Sequence, residues 1–491
     1  MSVRNNTKTL LMAFGAAMAL AGCGNGADSV VSPGAGAFPP APPPPVAPPP
    51  PPPPTTPPPT SGPAASCPTG LTNVGTVAGG TLRACRLPNE ITQSLALAKI
   101  PGLVYQIGGA VTVGTDAGGD ANNPVAGSSR AVLSIDPGVT LYGAAPSDYL
   151  MVNRGSQLIA VGTKDQPITF TSRQSLEGQT TADSQGQWGS VILLGRAPIN
   201  NCNSQVTPGS ATCQALIEGV NNAYYGGSNN TDSSGQLRYV RILYSGYEVS
   251  PGNELQALTL GGVGNGTELD YIQTHNSADD GIEIFGGSAN LKHIVLTGAD
   301  DDSLDIDTGW SGGAQYLIAI QRPGTGDKLL EWSSVNRTPA STPKLSNATL
   351  IGNARSGWGI EINQGTNAGI YNTVVTRPAG GTGNGDKCLN VTGTGSVGTF
   401  HSVYFSCPVP FLAGSTAEAN FNAGTNNAAR GTSSLTATFI NGPSESAVAP
   451  YGNLKAVHSF FDNVGYIGAV KDASDTWWQG WTCNLTADKP C

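Results

Sequence analysis

The feature that most constrains the fold is a three-residue pattern that recurs along the middle of the chain. One polar residue stands between two large apolar residues, as in Ile282-Glu283-Ile284 and Leu304-Asp305-Ile306. The central positions are Thr259, Glu283, Asp305, Glu331, Glu361 and Asn390, separated by 24, 22, 26, 30 and 29 residues. The alternation is typical of a β-strand, and the regular spacing is typical of one solenoid turn. We therefore predict an all-β fold, a right-handed parallel β-helix.

A second series of strands supports this prediction. Segments such as 239–245, 271–277, 292–298 and 315–321 precede the first series once in every coil. The composition agrees, because 66 Gly and 37 Pro beside only 4 Met favour short strands and turns over helices. The formal net charge is -9 and no basic run occurs beyond the first residues, so we expect no nucleic-acid partner.

The same alternation predicts where the acids lie. Because the apolar neighbours of Glu283 face the core, its carboxylate must face outward. Coils stacked about 4.8 Å apart would align such carboxylates in a ladder on the outer face, which comprises Glu283, Asp305, Asp307, Glu331 and Glu361. A denser group of acids in the preceding turns comprises Asp279, Asp280, Asp300, Asp301 and Asp302. Like charges at this spacing repel, so the face must hold a cation, keep some carboxyls protonated or receive positive charge from a partner.

Three functions are compatible with this face. Acid-rich turns in an exported protein are typical of Ca²⁺ sites, which assigns the turn acids as metal ligands. Carboxylates also accept hydrogen bonds from a glycan, with stacking faces from Trp310, Trp332 and Trp358. Catalysis is the third possibility. Carboxylates about 5 Å apart on adjacent coils, or about 9–10 Å apart on alternate coils, match glycosidase geometries, and the candidates would be Glu283, Asp305 and Glu331.

Whether the chain is an enzyme stays open at this point, and a non-catalytic binding protein is favoured. A polysaccharide lyase would need a base, and the neighbouring candidates are Lys292, His293, His275 and Arg322. None of them stands in a recognisable catalytic motif. The alternative function is therefore a polysaccharide lyase or a glycoside hydrolase that uses the carboxylate ladder.

The N-terminus carries a targeting signal. An apolar run after Arg4 and Lys8 ends in Leu20-Ala21-Gly22-Cys23, which resembles the lipobox of a bacterial lipoprotein. The resemblance implies that residues 1–22 are removed and that Cys23 carries lipid. The Pro-rich segment up to residue 65 would form an extended linker. We expect a monomer anchored in the outer membrane and displayed at the cell surface.

The other eight cysteines suit an exported protein with disulfide bonds. They fall into neighbours along the chain, which suggests sequential pairing of Cys67, Cys85, Cys202, Cys213, Cys388, Cys407, Cys483 and Cys491. We assign residues 66–130 to an N-terminal cap, 131–449 to the β-helix and 450–491 to an aromatic C-terminal cap. Both caps would be closed by disulfides.

Several of these motifs together resemble a known family. The coils "DDGIE" and "DDSLD", the ending "YIGAV…WWQGWT" and the lipobox are similar to those of β-helical bacterial secreted proteins and outer-membrane lipoproteins, a family that includes a Leptospira outer-membrane lipoprotein. The resemblance implies an outer-membrane lipoprotein without an established activity. It also implies an accessory role beside a TonB-dependent receptor in uptake.

Overall fold

The computed structural model describes residues 62–203, 205–355, 357–380, 385–486 and 489–491. All of them belong to one compact unit, Pro57–Cys491. The predicted signal peptide, the lipidated Cys23 and most of the Pro-rich linker lie outside the described residues. Among the helices of the described residues, none has the length and apolar character needed to cross a membrane.

Short strands dominate the described chain. The first are β1 (Thr72–Val77), β2 (Leu82–Arg86), β3 (Glu90–Ile91), β4 (Leu95–Leu97), β5 (Leu103–Ile107), β6 (Ala110–Val113), β7 (Val132–Ile135), β8 (Thr140–Gly143), β9 (Tyr149–Val152), β10 (Gln157–Val161), β11 (Ile168–Ser172) and β12 (Val191–Leu194). The next are β13 (Ala215–Leu216), β14 (Tyr224–Tyr225), β15 (Gly235–Leu243), β16 (Tyr247–Ser250), β17 (Asn253–Leu255), β18 (Leu258–Gly261), β19 (Glu268–His275), β20 (Ile282–Phe285), β21 (Asn290–Thr297) and β22 (Leu304–Asp307). The last are β23 (Gly313–Ile320), β24 (Leu330–Trp332), β25 (Lys344–Ile351), β26 (Ile360–Ile362), β27 (Asn367–Tyr371), β28 (Val374–Thr376), β29 (Lys387–Val391), β30 (Val397–His401), β31 (Tyr404–Ser406) and β32 (Val409–Phe411). The short helices are α1 (Arg173–Leu176), α2 (Ala417–Asn422), α3 (Pro443–Ser446) and α4 (Leu454–Val457).

Two long sheets run the length of the solenoid. The narrow sheet has eleven strands in the order β3-β6-β9-β12-β18-β20-β22-β24-β26-β29-β32, and the wide sheet has seventeen. Neighbouring strands of the narrow sheet pair in parallel and come from successive coils. The parallel β-helix prediction is therefore confirmed.

The register of the narrow sheet is the one that the three-residue pattern predicts. Glu283 pairs with Thr259 on one side and with Asp305 on the other, and Glu331 pairs with Asp305 and Glu361. The flanking residues Ile282 and Ile284 are fully buried and belong to the continuous core between the sheets. Alternation along each strand thus sends the acids to the outer side of the coil.

Left-handed residues turn the wide-sheet strands at a common corner. Tyr239, Tyr271, His293 and Tyr316 each have a positive φ between 52° and 61° at the middle of β15, β19, β21 and β23. Their rings stack from coil to coil at centroid distances of 4.4, 4.2 and 4.9 Å. At the same corner in later coils stand Asn347, Asn372 and Ser402, also with positive φ.

The predicted domain boundaries need correction at both ends. β2 already pairs in parallel with β5, and β3 with β6, so coils begin inside the segment that we assigned to an N-terminal cap. Only β1, which pairs antiparallel with β2, departs from the coil geometry there. At the other end the coils stop at β32, and α2 inserts Ala417 and Phe421 into the core as the cover of the last coil.

The C-terminal strap, defined as residues 432–486 and 489–491, therefore does not cover the last coil as predicted. It runs back along the outer side of the wide sheet. Ser402 donates to Ala449 O, Asn372 donates to Tyr451 O, and Gln273 exchanges two hydrogen bonds with the backbone of Cys483. The strap ends beside coils in the middle of the solenoid.

Four disulfide bonds join the cysteines in sequence order. They are Cys67–Cys85, Cys202–Cys213, Cys388–Cys407 and Cys483–Cys491. This is the pairing that proximity along the chain suggested. The last bond closes the end of the strap.

Candidate functional site

The candidate site is a group of carboxylates on the outer side of β20, β22 and β24 and in the turns before them. We call this group the acidic wall, and it consists of Asp279, Asp280, Glu283, Asp301, Asp302, Asp305, Asp327 and Glu331. Strand acids and turn acids repeat together because the step from Asp280 to Asp302 equals the step from Glu283 to Asp305. The coil stacking thus brings both sets onto one surface.

The acidic wall contains four groups of three carboxylates whose ligand atoms lie within 4.8 Å of one another. The most enclosed group is Asp280, Glu283 and Asp305. The others are Asp279, Asp280 and Asp301; Asp301, Asp302 and Asp327; and Asp302, Asp305 and Glu331. Oxygen atoms at this spacing could hold a metal ion, and carboxylates are the ligands that Ca²⁺ prefers.

Backbone amides fix the turn acids in place. Asp280 Oδ1 accepts from the amide of Asp302 at 2.9 Å, and Asp302 Oδ1 accepts from the amide of Lys328 at 2.6 Å. Each acid therefore caps the equivalent turn of the next coil.

Burial sets the electrostatics of the acidic wall. Glu283 is 6 % exposed, and within the described part of the chain no donor hydrogen-bonds its carboxylate. Burial, followed by the charge of Asp305, raises the pKa of Glu283 well above its ordinary value. Burial and neighbouring carboxylates raise the pKa of Asp280 in the same way, and burial followed by Asp301 raises that of Asp279 to about 7.

One lysine supplies positive charge inside the acidic wall. Lys328 Nζ lies 2.7 Å from Glu331 and 3.8 Å from Asp302, and it also contacts Asp327. Burial alone lowers the pKa of Lys328, but these carboxylates outweigh it and raise the pKa. Burial likewise raises the pKa of Glu331, yet hydrogen bonds with Asp302 and Lys328 leave it below its ordinary value. Lys328 thus compensates part of the negative charge at its end of the wall.

Two β-hairpins cover the opposite end of the acidic wall. We call β13–β14 and β16–β17 the flap. Tyr225 of the flap packs on Phe285 at 6.0 Å between ring centroids, next to Glu283. The amide of Glu254 donates to Glu218 at 3.2 Å and lowers the pKa of Glu218, but burial, together with the Glu254 side chain, outweighs this bond and raises that pKa to about 7. The flap therefore adds two more carboxyls while it removes solvent.

The flap packs here because the outward-facing residues of the narrow sheet change from apolar to acidic along the solenoid. In the coils before the acidic wall, the outward positions of β9 and β12 hold Met151, Ile192 and Leu194. These side chains are buried in a separate apolar cluster with Ile217 and Tyr225. Burial of these apolar side chains stabilises the packing of the flap on the narrow sheet. The edge of the flap that carries Tyr225 reaches Glu283.

The remaining predicted acids differ in their placement. Asp307 lies one outward position beyond Asp305, and burial raises its pKa to about 6. Glu361 continues the ladder and accepts from Asn390 Nδ2 at 2.8 Å. Asp300 is not brought into any of the four groups, because its carboxylate accepts from Gln185 and lies 3.6 Å from Arg322.

The predicted stacking faces are wrong. Trp310 and Trp332 are fully buried, and Trp358 is 7 % exposed. Trp310 Nε1 donates to the backbone oxygen of Ala289 inside the coil. The outer face of Trp358 is covered by Lys387, whose ammonium lies 5.6 Å from the ring centroid. These rings therefore contribute to the core and are not available to stack on a glycan.

The candidate bases lie away from the acidic wall. Lys292 pairs with Asp462 of the strap at 2.6 Å. His293 pairs with Asp270 at 2.7 Å within the aromatic stack. His275 and Arg322 line a separate cavity, which none of the acidic-wall residues lines. None of the four is brought together with Glu283 or Asp305 in the arrangement of an acid and a base.

Sequence reasoning missed three acids and a lysine at this site. Asp327 and Lys328 follow Asp301 and Asp302 by the same step of 26 that relates Glu331 to Asp305, so extension of the alignment to the turns would have found them. Glu218 and Glu254 carry no such signal, because they lie in the flap, outside the coil repeat.

A family model described as a pectate-lyase-like β-helix domain matches residues 111–482, which is more than half of the chain. The matched range contains the acidic wall and the flap. Comparisons with the curated proteins and with the solved structures found no match.

Proposed function

The chain belongs to the pectate-lyase-like β-helix family, and on that premise we propose that it is a non-catalytic, calcium-binding member. Within this proposal it is a lipoprotein displayed on the outer membrane, where it engages an external ligand. The observation that carries the calcium part is the enclosed group of Asp280, Glu283 and Asp305, in which, among the described residues, no carboxylate forms an ion pair with a cationic side chain.

Calcium is favoured over other metals by the ligand type. All the candidate ligands are carboxylate oxygens, and neither His nor Cys belongs to the four groups. Hard oxygen ligands in an irregular arrangement suit Ca²⁺, whereas Zn²⁺ prefers nitrogen and sulfur, and Mg²⁺ demands a near-octahedral shell. Residues of two adjacent coils supply the enclosed group, so a bound ion would tie the coils together.

Export and anchoring are supported by independent features. Four disulfide bonds are typical of proteins that fold in an oxidising compartment. The lipobox at Cys23 supports a lipid anchor, and the Pro-rich segment after it supports display away from the membrane. A partnership with a TonB-dependent receptor is part of the proposal and is supported by the family resemblance alone.

A polysaccharide lyase or glycoside hydrolase is the second candidate, because Glu331 and Glu361 stand on adjacent coils beyond the flap and are only half-buried. The low exposure of Glu283 opposes it, since a polymer could not reach that carboxylate without displacement of the flap. Release of reducing sugars or unsaturated uronates from plant or bacterial polysaccharides would favour this second function.

Thermal unfolding of the full chain after treatment with chelator tests the calcium proposal. We expect Ca²⁺ to stabilise the protein by about 2.7 kcal/mol when its concentration is a hundred times Kd. The double variant E283Q/D305N should lose most of this response, and calorimetric titration should show the loss of a binding event. An exposed acid outside the wall, Asp165, gives the control variant D165N, which should keep the full response. A melting temperature that ignores both Ca²⁺ and chelator would refute the proposal.

A further inference from the structure

A cavity that is not lined by the acidic wall lies at the ends of three strands of the wide sheet. Its volume is about 350 Å³, and it is lined by the ends of β19, β21 and β23 together with the loop at 182–183 and Asn484 of the strap. The cavity size lies at the lower end of the range for small-molecule sites. Its polar centre is His275, which is 4 % exposed.

The hydrogen bonds around His275 fix the position of its proton. Thr297 Oγ1 lies 2.8 Å from His275 Nδ1, and the same hydroxyl donates its own proton to Thr274 O at 3.2 Å. Both contacts are satisfied when the hydroxyl accepts from Nδ1–H, whereas a proton on Nε2 would find no acceptor among the described residues. A neutral imidazole with its proton on Nδ1 has a free lone pair on Nε2. Within the described part of the chain, no donor satisfies that second nitrogen.

The charges around the cavity restrict what can donate to Nε2. Arg322 lines the cavity and opposes a cationic donor beside the ring. Asp183 and Asp300 lie 3.9 and 3.6 Å from the Arg322 guanidinium and balance its charge, which disfavours an anionic ligand. Arg322 Nε is buried without a hydrogen-bond partner among the described residues, so it can still donate to a neutral oxygen. The donor that fits is an uncharged hydroxyl. Ile320 and Pro323 add apolar surface of the kind that packs against the C–H face of a sugar ring.

From this geometry we propose that the cavity around His275 binds a neutral sugar unit, with a sugar hydroxyl donating to His275 Nε2. The proposal does not depend on calcium in the acidic wall, because the acids of the four carboxylate groups do not line this cavity. It gives the external ligand of the proposed function a chemical class and a location.

The groups that face His275 also predict how binding depends on pH. The His275 ring meets the Tyr244 ring edge to face, with 5.6 Å between the ring centroids. Arg322 is the charged group that acts on the pKa of His275, and Asp183 and Asp300 lie beside the Arg322 guanidinium. Burial, followed by the Arg322 charge, lowers the pKa of His275 to about 4. The acceptor therefore persists through neutral pH, and sugar affinity should fall only as the pH drops through about 4.

Nitrogen NMR of the full chain with ¹⁵N-labelled histidine reads the acceptor directly, because the chain has only 4 His. His401 provides an internal contrast. Its Nδ1 accepts from the amide of Thr425 at 3.1 Å, so its proton resides on Nε2. We expect opposite tautomers for the two residues. Addition of neutral hexoses at millimolar concentration should shift His275 Nε2 and leave His401 unchanged.

Two substitutions at the same position separate a binding role from a structural one. H275N keeps an amide near the position of Nδ1 but removes Nε2, so affinity for the hexoses should fall about tenfold. H275Q places an amide near the position of Nε2 and should retain more affinity. The matched control H401N should bind as the unsubstituted chain does.

Three results would overturn the proposal. They are equal hexose affinity in H275N and the unsubstituted chain, tighter binding of the matching uronic acids than of the hexoses, and no shift of His275 with any hexose. The NMR measurement needs no substitution and so stands even if a variant fails to fold.

Discussion

Two buried glutamates, one in the acidic wall and one in the C-terminal strap, show opposite ways to keep a carboxylate out of water. Glu445 of the strap is fully buried and accepts from Ser433 Oγ, from both the amide and the hydroxyl of Ser434, and from the amide of Gly442, at 2.7 to 3.1 Å. Glu283 is almost as buried, but among the described residues no donor hydrogen-bonds its carboxylate and the charged groups that act on it are other carboxylates. The strap stabilises its charge by itself, whereas the wall needs a proton or a cation.

The two environments move the pKa in opposite directions. Burial raises the pKa of both groups, but hydrogen bonds from Ser434 and Ser433 outweigh burial at Glu445 and leave its pKa below the ordinary value. At Glu283 the neighbouring charges add to burial. A buried carboxylate with donors is typical of a structural role, and one without donors is typical of a binding site.

The largest expected effect tests the strap half of this comparison. E445A removes the acceptor of four hydrogen bonds and leaves the half-buried donors of Ser433 and Ser434 and the buried amide of Gly442 without a partner, so the free energy of unfolding should fall by about 3 kcal/mol. The loss should be the same with calcium and with chelator, as measured by chemical denaturation. The exposed Glu418 gives the control E418Q, which should change stability by less than about 0.5 kcal/mol. A calcium-dependent loss in E445A would break the comparison.

An intermediate effect is expected at the lysine of the acidic wall. K328M leaves Glu331, Asp302 and Asp327 without their internal cation, so the chelated protein should lose about 2 kcal/mol, less than for a fully buried pair because these groups keep some solvent contact. Calcium should restore more stability to this variant than to the unsubstituted chain. Equal calcium responses in the two proteins would show that Lys328 does not compete with a metal.

The smallest effect is a difference in pH dependence between the two regions. Without calcium, the pKa values of Glu218 and Asp279 are raised to about 7, and that of Asp307 is raised to about 6. The folded protein therefore binds more protons at these three groups than the unfolded chain does. Their contribution is complete below the ordinary carboxyl pKa, near 4, and is lost as the pH rises through 6 to 7. Chelated protein should therefore unfold at a lower denaturant concentration at pH 8 than at pH 5.5.

Saturating calcium should flatten that slope, because metal binding replaces the bound protons. The lowered pKa of Glu445 has the reverse sign, since its contribution is present above the ordinary value and is lost as the pH falls through the lowered pKa. A chelated protein that gained stability between pH 5.5 and 8 would contradict the raised values in the wall.

The coils and their register could be predicted from the sequence because the signal is local and repeated. A polar residue between two apolar residues shows which side of the strand faces outward. Six such patterns at regular spacing then define how the strands align with one another. The same parity places Trp332 in the core, as the residue after Glu331. Its assignment to ligand binding conflicted with the pattern itself.

The enclosure of the site could not be predicted in this way. The flap that covers Glu283 comes from β13–β14 and β16–β17, which lie outside the repeat and reach the wall through contacts without sequence periodicity. The path of the strap is similarly hidden. Its contact between Gln273 and Cys483 spans 210 residues, and no local propensity reports such a pairing.

That long contact changes how this solenoid holds together. In a simple repeat array each turn touches only its neighbours, so ends can fray while the middle persists. Here the strap fastens turns that were synthesised some 200 residues before it. Removal of the last few dozen residues of the strap should therefore loosen the middle coils of the solenoid first. A folding assay that reports only on the two ends of the solenoid would not detect this loss.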